Sequence, residues 1–280
     1  MRGVFVYDAE TAIPMDLNLL RNIPRNLRRS RSWLGLVSLL IAVCLWWLVA
    51  RIAKLPAFIL PTPMEVWLRF LIAASDGSLF KNTGVTLFEI LLGLFCGAGL
   101  ATILGYLVAK SRALERVLSP YLIASQAIPL VAIAPLLVIW FGPGMFSKVL
   151  ICALIVFFPV LVNTVVGVRA VPPALLDLMH SLHASRAQIL VDLEVPAALP
   201  VFLGGLRIGA TLSVIGAVVG EFVGADQGLG FLINVGRGQY DTALVFVSIF
   251  TLIIMALALY GLVVLAEQIS LRWQRRPEHS

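Results

Sequence analysis

Charge is scarce in this sequence: Asp, Glu, Lys and Arg make up 13% of its 280 residues, and 60% are hydrophobic. Soluble domains carry about 25% charged residues. With a mean hydropathy of +0.98, a water-soluble fold is excluded. Cysteine is sparse as well. Cys44, Cys96 and Cys152 each lie in an apolar block without C-x-x-C spacing or a neighbouring His, which leaves neither a disulfide framework nor a metal site. The only lysines, Lys54, Lys81, Lys110 and Lys148, follow Ala, Phe, Ala and Ser. None follows a glycine, so the chain lacks the G-x-x-x-x-G-K-[ST] loop that cradles phosphates. There is no G-x-S-x-G elbow and no Ser, His and Asp constellation, and His180 and His183 have no third ligand nearby to hold a metal. No catalytic residue, resident cofactor or metal is expected. The net charge of +6 and pI near 9.6 come from short basic clusters between apolar blocks, which is membrane topology rather than a nucleic-acid face.

Those apolar blocks are long enough to cross a bilayer, which takes roughly 20 residues per helix. Spans are expected over about Trp33–Ala50, Thr86–Ala109, Leu118–Trp140, Val149–Val168, Val201–Val223 and Ala243–Ala266. The fold class is therefore all-α and polytopic, with about six transmembrane helices forming one domain over 33–268. An amphipathic basic arm, 1–32, precedes it, with Arg21, Arg25, Arg28, Arg29 and Arg31 among leucines and a break near Pro24; a tail, 269–280, follows. No cleavage-site pattern follows Ala50, so the first block is expected to stay as a helix. A short amphipathic helix is expected around Val66–Ile72, after the prolines at 56, 61 and 63. Gly93 and Gly97 form a G-x-x-x-G pair for close helix packing, and the glycines between 204 and 220 are expected to pack helices or to let spans slide at a dimer seam. Fifteen of the 21 Lys and Arg residues fall on one side of this topology, which puts both termini in the cytoplasm. Lys148 is counted with the outer loops.

The longest inner segment, 169–200, is not freely polar. Leu175, Leu176, Met179, Leu182, Ile189 and Leu190 recur at helical spacing, with Asp177, His180, His183 and Arg186 on the polar side and Pro172, Pro173 and Pro196 punctuating the ends. One or two short amphipathic helices are expected there, shaped to meet another protein.

Here the residues resemble a family. Permeases of binding-protein-dependent ABC importers carry a cytoplasmic signature, E-A-A-x3-G-x9-I-x-L-P, and this chain holds Asp177, Leu178, Met179, His183, Leu193, Val195 and Pro196 in the same register with degenerate letters. Ile128-Pro129, Ala134-Pro135-Leu136, Trp140-Phe141-Gly142, Phe157-Phe158-Pro159, Gly205-Leu206-Arg207, and Glu221 followed by Gly228-Leu229-Gly230 resemble the nitrate, sulfonate, taurine and pyrimidine-type permeases, over about Leu60–Glu267. The resemblance implies the type I importer permease fold and a homodimer in the inner or plasma membrane. It also implies an extracytoplasmic solute-binding protein and separate ABC ATPase subunits that hold ATP and magnesium. Segment 169–200 becomes the coupling loop, through Asp177, Leu178, Met179, His183, Arg186, Leu193, Val195 and Pro196. Nucleic acid is not an expected partner. Gln126, Pro129, Pro135 and Glu221 are the candidates for the translocation path.

A carboxylate inside a span is costly, about 2.5–3.5 kcal/mol at a helix centre, so Glu89 and Glu221 call for explanation. Glu221 is expected to gate the path or to be a snorkelling or hydrogen-bonded carboxylate, and Glu89 to be a snorkelling or hydrogen-bonded one. The rival classes are an ion-coupled secondary transporter using Glu89 and Glu221, and a membrane scaffold without transport.

Overall fold

The computed structural model describes residues 26–53, 56–127 and 129–272; the basic arm up to residue 25, the tail from 273 and the Gln126 side chain lie outside the described residues. Two compact units divide the chain at Leu55 and Pro56. In the first, helix α1 (Asn26–Ile52) carries the first apolar block, and Arg51 sits over the Trp47 ring at 5.4 Å.

The second unit holds α2 (Pro63–Ser75), α3 (Ser78–Lys110), α4 (Arg112–Ala127), α5 (Leu130–Phe141), α6 (Met145–Arg169), α7 (Pro173–Ser181), the single turn α8 (Arg186–Gln188), a π-helical turn (Ile189–Glu194), α9 (Val195–Phe222), α10 (Leu229–Gly238) and α11 (Thr242–Ser270). The described residues contain four helical runs long and apolar enough to cross a membrane: α3, α6, the run Arg186–Phe222 and α11. The apolar pieces Val37–Ile52 and α5 are shorter. The helix α2 begins where expected because Thr62 and Glu65 form a reciprocal capping box just after Pro61 and before Pro63.

The core is α6, with α3 on one side and α9 on the other. In lipid no hydrophobic force drives helices together, so close approach depends on small residues that let backbones touch. Gly93 and Gly97 of α3 face Cys152 and Ala153 of α6, and Gly216 and Gly220 of α9 face Cys152 and Lys148. Added side chains there would collide with α6. These α9 glycines therefore serve packing within one chain, where a dimer seam was the alternative. Ala98 and Ala101 meet Val156, Val160 and Leu161 in a closed cluster between α3 and α6.

Three expectations change in the structure. The third span is not one helix: α4 and α5 are separated at Pro129, which caps α5 in an extended conformation (ψ 102°). Pro129 has no N–H to continue the ladder. The fifth span does not begin near Val201. It is continuous from Arg186 to Phe222, 37 residues or about 55 Å at 1.5 Å per residue, so only α7 is a separate amphipathic helix in segment 169–200. Pro196 directly follows the π-helical turn, where the ladder has already left its i→i−4 register, the Val195 amide reaching the Leu190 carbonyl. Finally, Lys148 is not a loop charge: α6 starts at Met145, three residues before it, and α3 at Ser78, eleven before Glu89. Both side chains are buried, and Glu89 is hydrogen-bonded rather than snorkelling.

Two ends of the bundle can be named from their contacts. At the loop end, Arg169 donates to both oxygens of Glu115 at 2.6 and 2.8 Å, joining α6 to α4; this holds the Glu115 carboxyl below the usual carboxylate range and the Arg169 guanidinium lies at the last residue of α6. At the turn end, Asp241 caps α11 through the Leu244 amide at 3.0 Å and accepts Arg69 at 2.6 Å, tying α2 to α11.

Candidate functional site: an exposed coupling surface and two carboxylate clasps

Helix α7 carries Leu175, Leu178 and, at its C-cap, Leu182, spaced three and four apart, yet none of its residues is buried. All three leucines are exposed, Leu182 at 68%. Exposed apolar patches mark surfaces that meet another protein, a membrane or a ligand, which makes this stripe a candidate site. Val191 and Val195 on the next segment are exposed beside it. Asp177 and Arg186 are exposed, and Met179, Leu193 and Pro196 are half-buried.

The helix ends in a tight cap. The His183 amide donates to the His180 carbonyl at 3.0 Å and the Ala184 amide to the Met179 carbonyl at 3.0 Å, the two bonds of a Schellman motif. His183 occupies its left-handed position, φ 55°. This is the position at which the permease signature has Gly, and Gly adopts that conformation without cost. His takes it more readily than a β-branched residue does. The chain then turns into Ser185, which caps the following run reciprocally with Gln188: the Gln188 amide donates to Ser185 Oγ at 3.3 Å and the Ser185 amide to Gln188 Oε1 at 2.8 Å. The S-x-x-Q spacing is visible in the sequence and marks where the long helix begins.

Between α7 and α9, the turn Ile189–Glu194 is π-helical, and the Val195 amide reaches back to the Leu190 carbonyl. Such widened turns occur often at functional sites. Its last residue, Glu194, is 2% exposed. Its carboxylate accepts the Tyr106 hydroxyl at 3.0 Å on one oxygen and the Lys110 ammonium on the other. Tyr106 and Lys110 are one turn apart on α3, so a single face of that helix supplies both donors.

A second buried carboxylate closes the turn end. Glu221 of α9 accepts the Thr86 hydroxyl of α3 at 2.6 Å and the Gly230 amide of α10 at 2.5 Å. The Leu229 amide donates to Thr86 Oγ1 at 2.8 Å and the Gly228 amide to Asn82 Oδ1 at 2.7 Å. Three consecutive amides at the start of α10 are thus satisfied by α3 and α9. Gly228 has φ 114°, and a Cβ there would strike the Glu221 carboxylate, which gives the Gly-Leu-Gly triplet its physical reason. Beside it, Lys148 of α6 donates to Glu89 of α3 at 3.0 Å, both side chains being at most 6% exposed. A buried charge is tolerable when paired and hydrogen-bonded.

Of the four path candidates, Pro129 and Pro135 lie at and just beyond the break between α4 and α5, and Gln126 belongs to the side chains outside the described ones. Glu221 is fully buried, and its oxygens accept from Thr86 of α3 and the Gly230 amide of α10. The clasping residues Tyr106, Lys110, Glu194, Thr86 and Asn82 escape sequence reasoning because their partners are far along the chain.

The profile of the family described as binding-protein-dependent transport system inner membrane component matches residues 97–275. The riboflavin transport system permease protein RibX of Chloroflexus aurantiacus is 48% identical over 242 residues, 86% of this chain and 90% of that protein. The formylaminopyrimidine transport permease protein ThiX of Halalkalibacterium halodurans is 36% identical over 237 residues, 85% and 94% of the two chains. The taurine transport system permease protein TauC of Escherichia coli is 32% identical over 231 residues, 81% and 84%. Among solved structures, the inward-facing MetNI methionine ABC transporter aligns with a TM-score of 0.61 at 18% identity, covering 70% of this chain and 98% of that one, which shows a shared fold. The chain belongs to the family of inner-membrane permease components of binding-protein-dependent ABC importers.

Proposed function

We propose that this permease, as a homodimer with its termini in the cytoplasm, moves a planar nitrogen heterocycle of the flavin or pyrimidine class from an extracytoplasmic binding protein into the cell. The energy comes from separate ATPase subunits, on which ATP and magnesium are bound. The observation that carries the reading is the unburied apolar stripe of α7, flanked by its tight cap and by the long helix that runs on to Phe222. A groove on the ATPase covers Leu175, Leu178 and Leu182, and the closure of the ATPase pair displaces α7 as a rigid body. The heterocycle class is supported by the two relatives named for riboflavin and formylaminopyrimidine transport, at 48% and 36% identity, against 32% for the relative named for taurine. An ion-coupled mechanism has less support, because Glu221 is engaged on both oxygens by Thr86 and Gly230, and Glu89 is paired with Lys148 through one oxygen, the other being buried without a hydrogen-bond partner.

The test is uptake by proteoliposomes containing the permease and its ATPase, with the cognate binding protein outside and labelled riboflavin, a pyrimidine or taurine as solute. ATP-dependent uptake of the heterocycle is expected, and Leu178→Asp is expected to abolish co-purification of the ATPase. Uptake by the permease alone without ATP would overturn the mechanism, and uptake of taurine alone would overturn the substrate class.

A further inference from the structure

The helical run Arg186–Phe222 is fastened to α3 by a carboxylate near each end, and the two fastenings differ in what surrounds them. Glu194 and Glu221 are 27 residues apart in sequence, about 40 Å along a helix. Both are buried, and both take their side-chain donors from α3: Tyr106 and Lys110 at one end, Thr86 at the other. At the turn end the carboxylate is also held by a backbone amide. At the loop end two clefts meet on the Tyr106–Glu194 contact. One, about 410 Å³, runs between α3, α6 and α9 and is lined by Ile103, Thr164, Leu190 and Phe202. The other, about 390 Å³, opens toward α7 and is lined by Leu176, His180, Arg186 and Ile189. Lys110 is 43% exposed on its side chain, while Glu194 is not. With open volume on both faces, the three-residue bridge is the polar link between α3 and the π-helical turn here.

We infer that Glu194, held by Tyr106 and Lys110, is the positioning residue that transmits displacement of α7 to α3, so that motion imposed at the coupling surface moves the helix bundle rather than being absorbed in the π-helical turn. The physical basis is stiffness. A π-helical turn is a weak point in a helix, and a rigid body pushed against a compliant joint bends it unless a second attachment resists. Glu194 is the last residue of that turn, and its bridge anchors the turn to a neighbouring helix 33 residues long. The clefts on either face leave room for the segment to swing with the bridge intact. This role rests on the importer reading above, and it adds a named link inside the permease.

The test uses the complete complex of permease, ATPase and solute-loaded binding protein in proteoliposomes, with Glu194→Gln, Tyr106→Phe, Lys110→Met and the exchange Lys110→Glu with Glu194→Lys. The readouts are ATPase co-purification, ATP hydrolysis with and without loaded binding protein, and solute taken up per ATP hydrolysed. Glu194→Gln is expected to assemble normally with the ATPase while solute per ATP falls at least about fivefold, the lower end of ordinary coupling effects. The charge exchange is expected to recover part of that loss, which assigns it to the ion pair, while normal ATPase co-purification separates it from a merely structural defect. Asp192→Asn, an exposed acid on the same turn, is expected to leave the ratio unchanged. An unchanged ratio in Glu194→Gln, or equal loss in Asp192→Asn, would overturn the inference. Absence of ATP-dependent uptake by the unsubstituted complex would instead overturn the importer reading on which it stands.

Discussion

The turn end and the loop end of α9 solve the same problem, a carboxylate buried between helices, by different means. At Glu221 the donors are a hydroxyl and a backbone amide, one of three successive amides satisfied by α3 and α9, and glycine is required for the approach. At Glu194 the donors are two flexible side chains, one of them partly in solvent, beside a widened helical turn and two clefts. The first arrangement pins the helix through the backbone, and the second fastens it to α3 through side chains alone. A permease driven from one end needs this asymmetry: a fixed point, and a driven end whose displacement is passed on to α3.

Substitutions at the fixed end should therefore cost stability. The largest effect is expected from Lys148→Met, which leaves Glu89 without its ammonium next to Glu221; removing one partner of a buried pair costs about 3–5 kcal/mol. The unfolding midpoint in detergent checks this, and the double change Glu89→Leu with Lys148→Met should recover most of it. Next comes Gly228→Ala, at about 2–3 kcal/mol, from the left-handed backbone and displacement of the Glu221 carboxylate. Here the amides of 228–230 should lose protection from hydrogen exchange.

Changes at the loop end should cost less stability. His183→Gly is expected to raise the stability of the α7 cap by about 0.5–1 kcal/mol by relieving the left-handed conformation, and His183→Val to lower it by about 1 kcal/mol. Denaturation in detergent and ATPase affinity report both. Smallest is Glu115→Gln, which breaks the exposed bridge to Arg169 with little change in overall stability. The pH sign follows from the lowered Glu115 carboxyl: its contribution is present above the ordinary carboxylate pKa and is lost as pH falls through the lower folded value. Local exchange at the α4 and α6 ends should rise only on acidification.

The pattern of what the residues reveal follows the same division. Long apolar runs are self-contained, so α3, α6 and α11 are legible from hydropathy, and α2 from its prolines and capping pair. Pro129 announces a lost hydrogen bond, but whether a helix breaks or bends there depends on what surrounds it; Pro135 stays inside α5. The joining of segment 186–200 to the fifth span is hidden because Pro196 and Pro200 look like stops, while Pro196 follows a π-helical turn and Pro200 stays inside α9. The amphipathic helix α7 is legible from its apolar spacing, but which of its residues stay exposed is not: Leu176 and Met179 are half-buried while Leu178 is exposed. The clasps are illegible because Glu194 meets residues 84 and 88 positions away, and Glu221 meets one 135 positions away. Nothing local marks such pairs.

The most direct measurement is hydrogen exchange on the assembled permease and ATPase, with and without bound ATP, comparing the amides of Ile189–Val195 with those of Gly228–Gly230. ATP is expected to change exchange across the first group while the second stays protected. Equal opening of both groups, or opening of 228–230 alone, would contradict a helix held at one end and driven from the other.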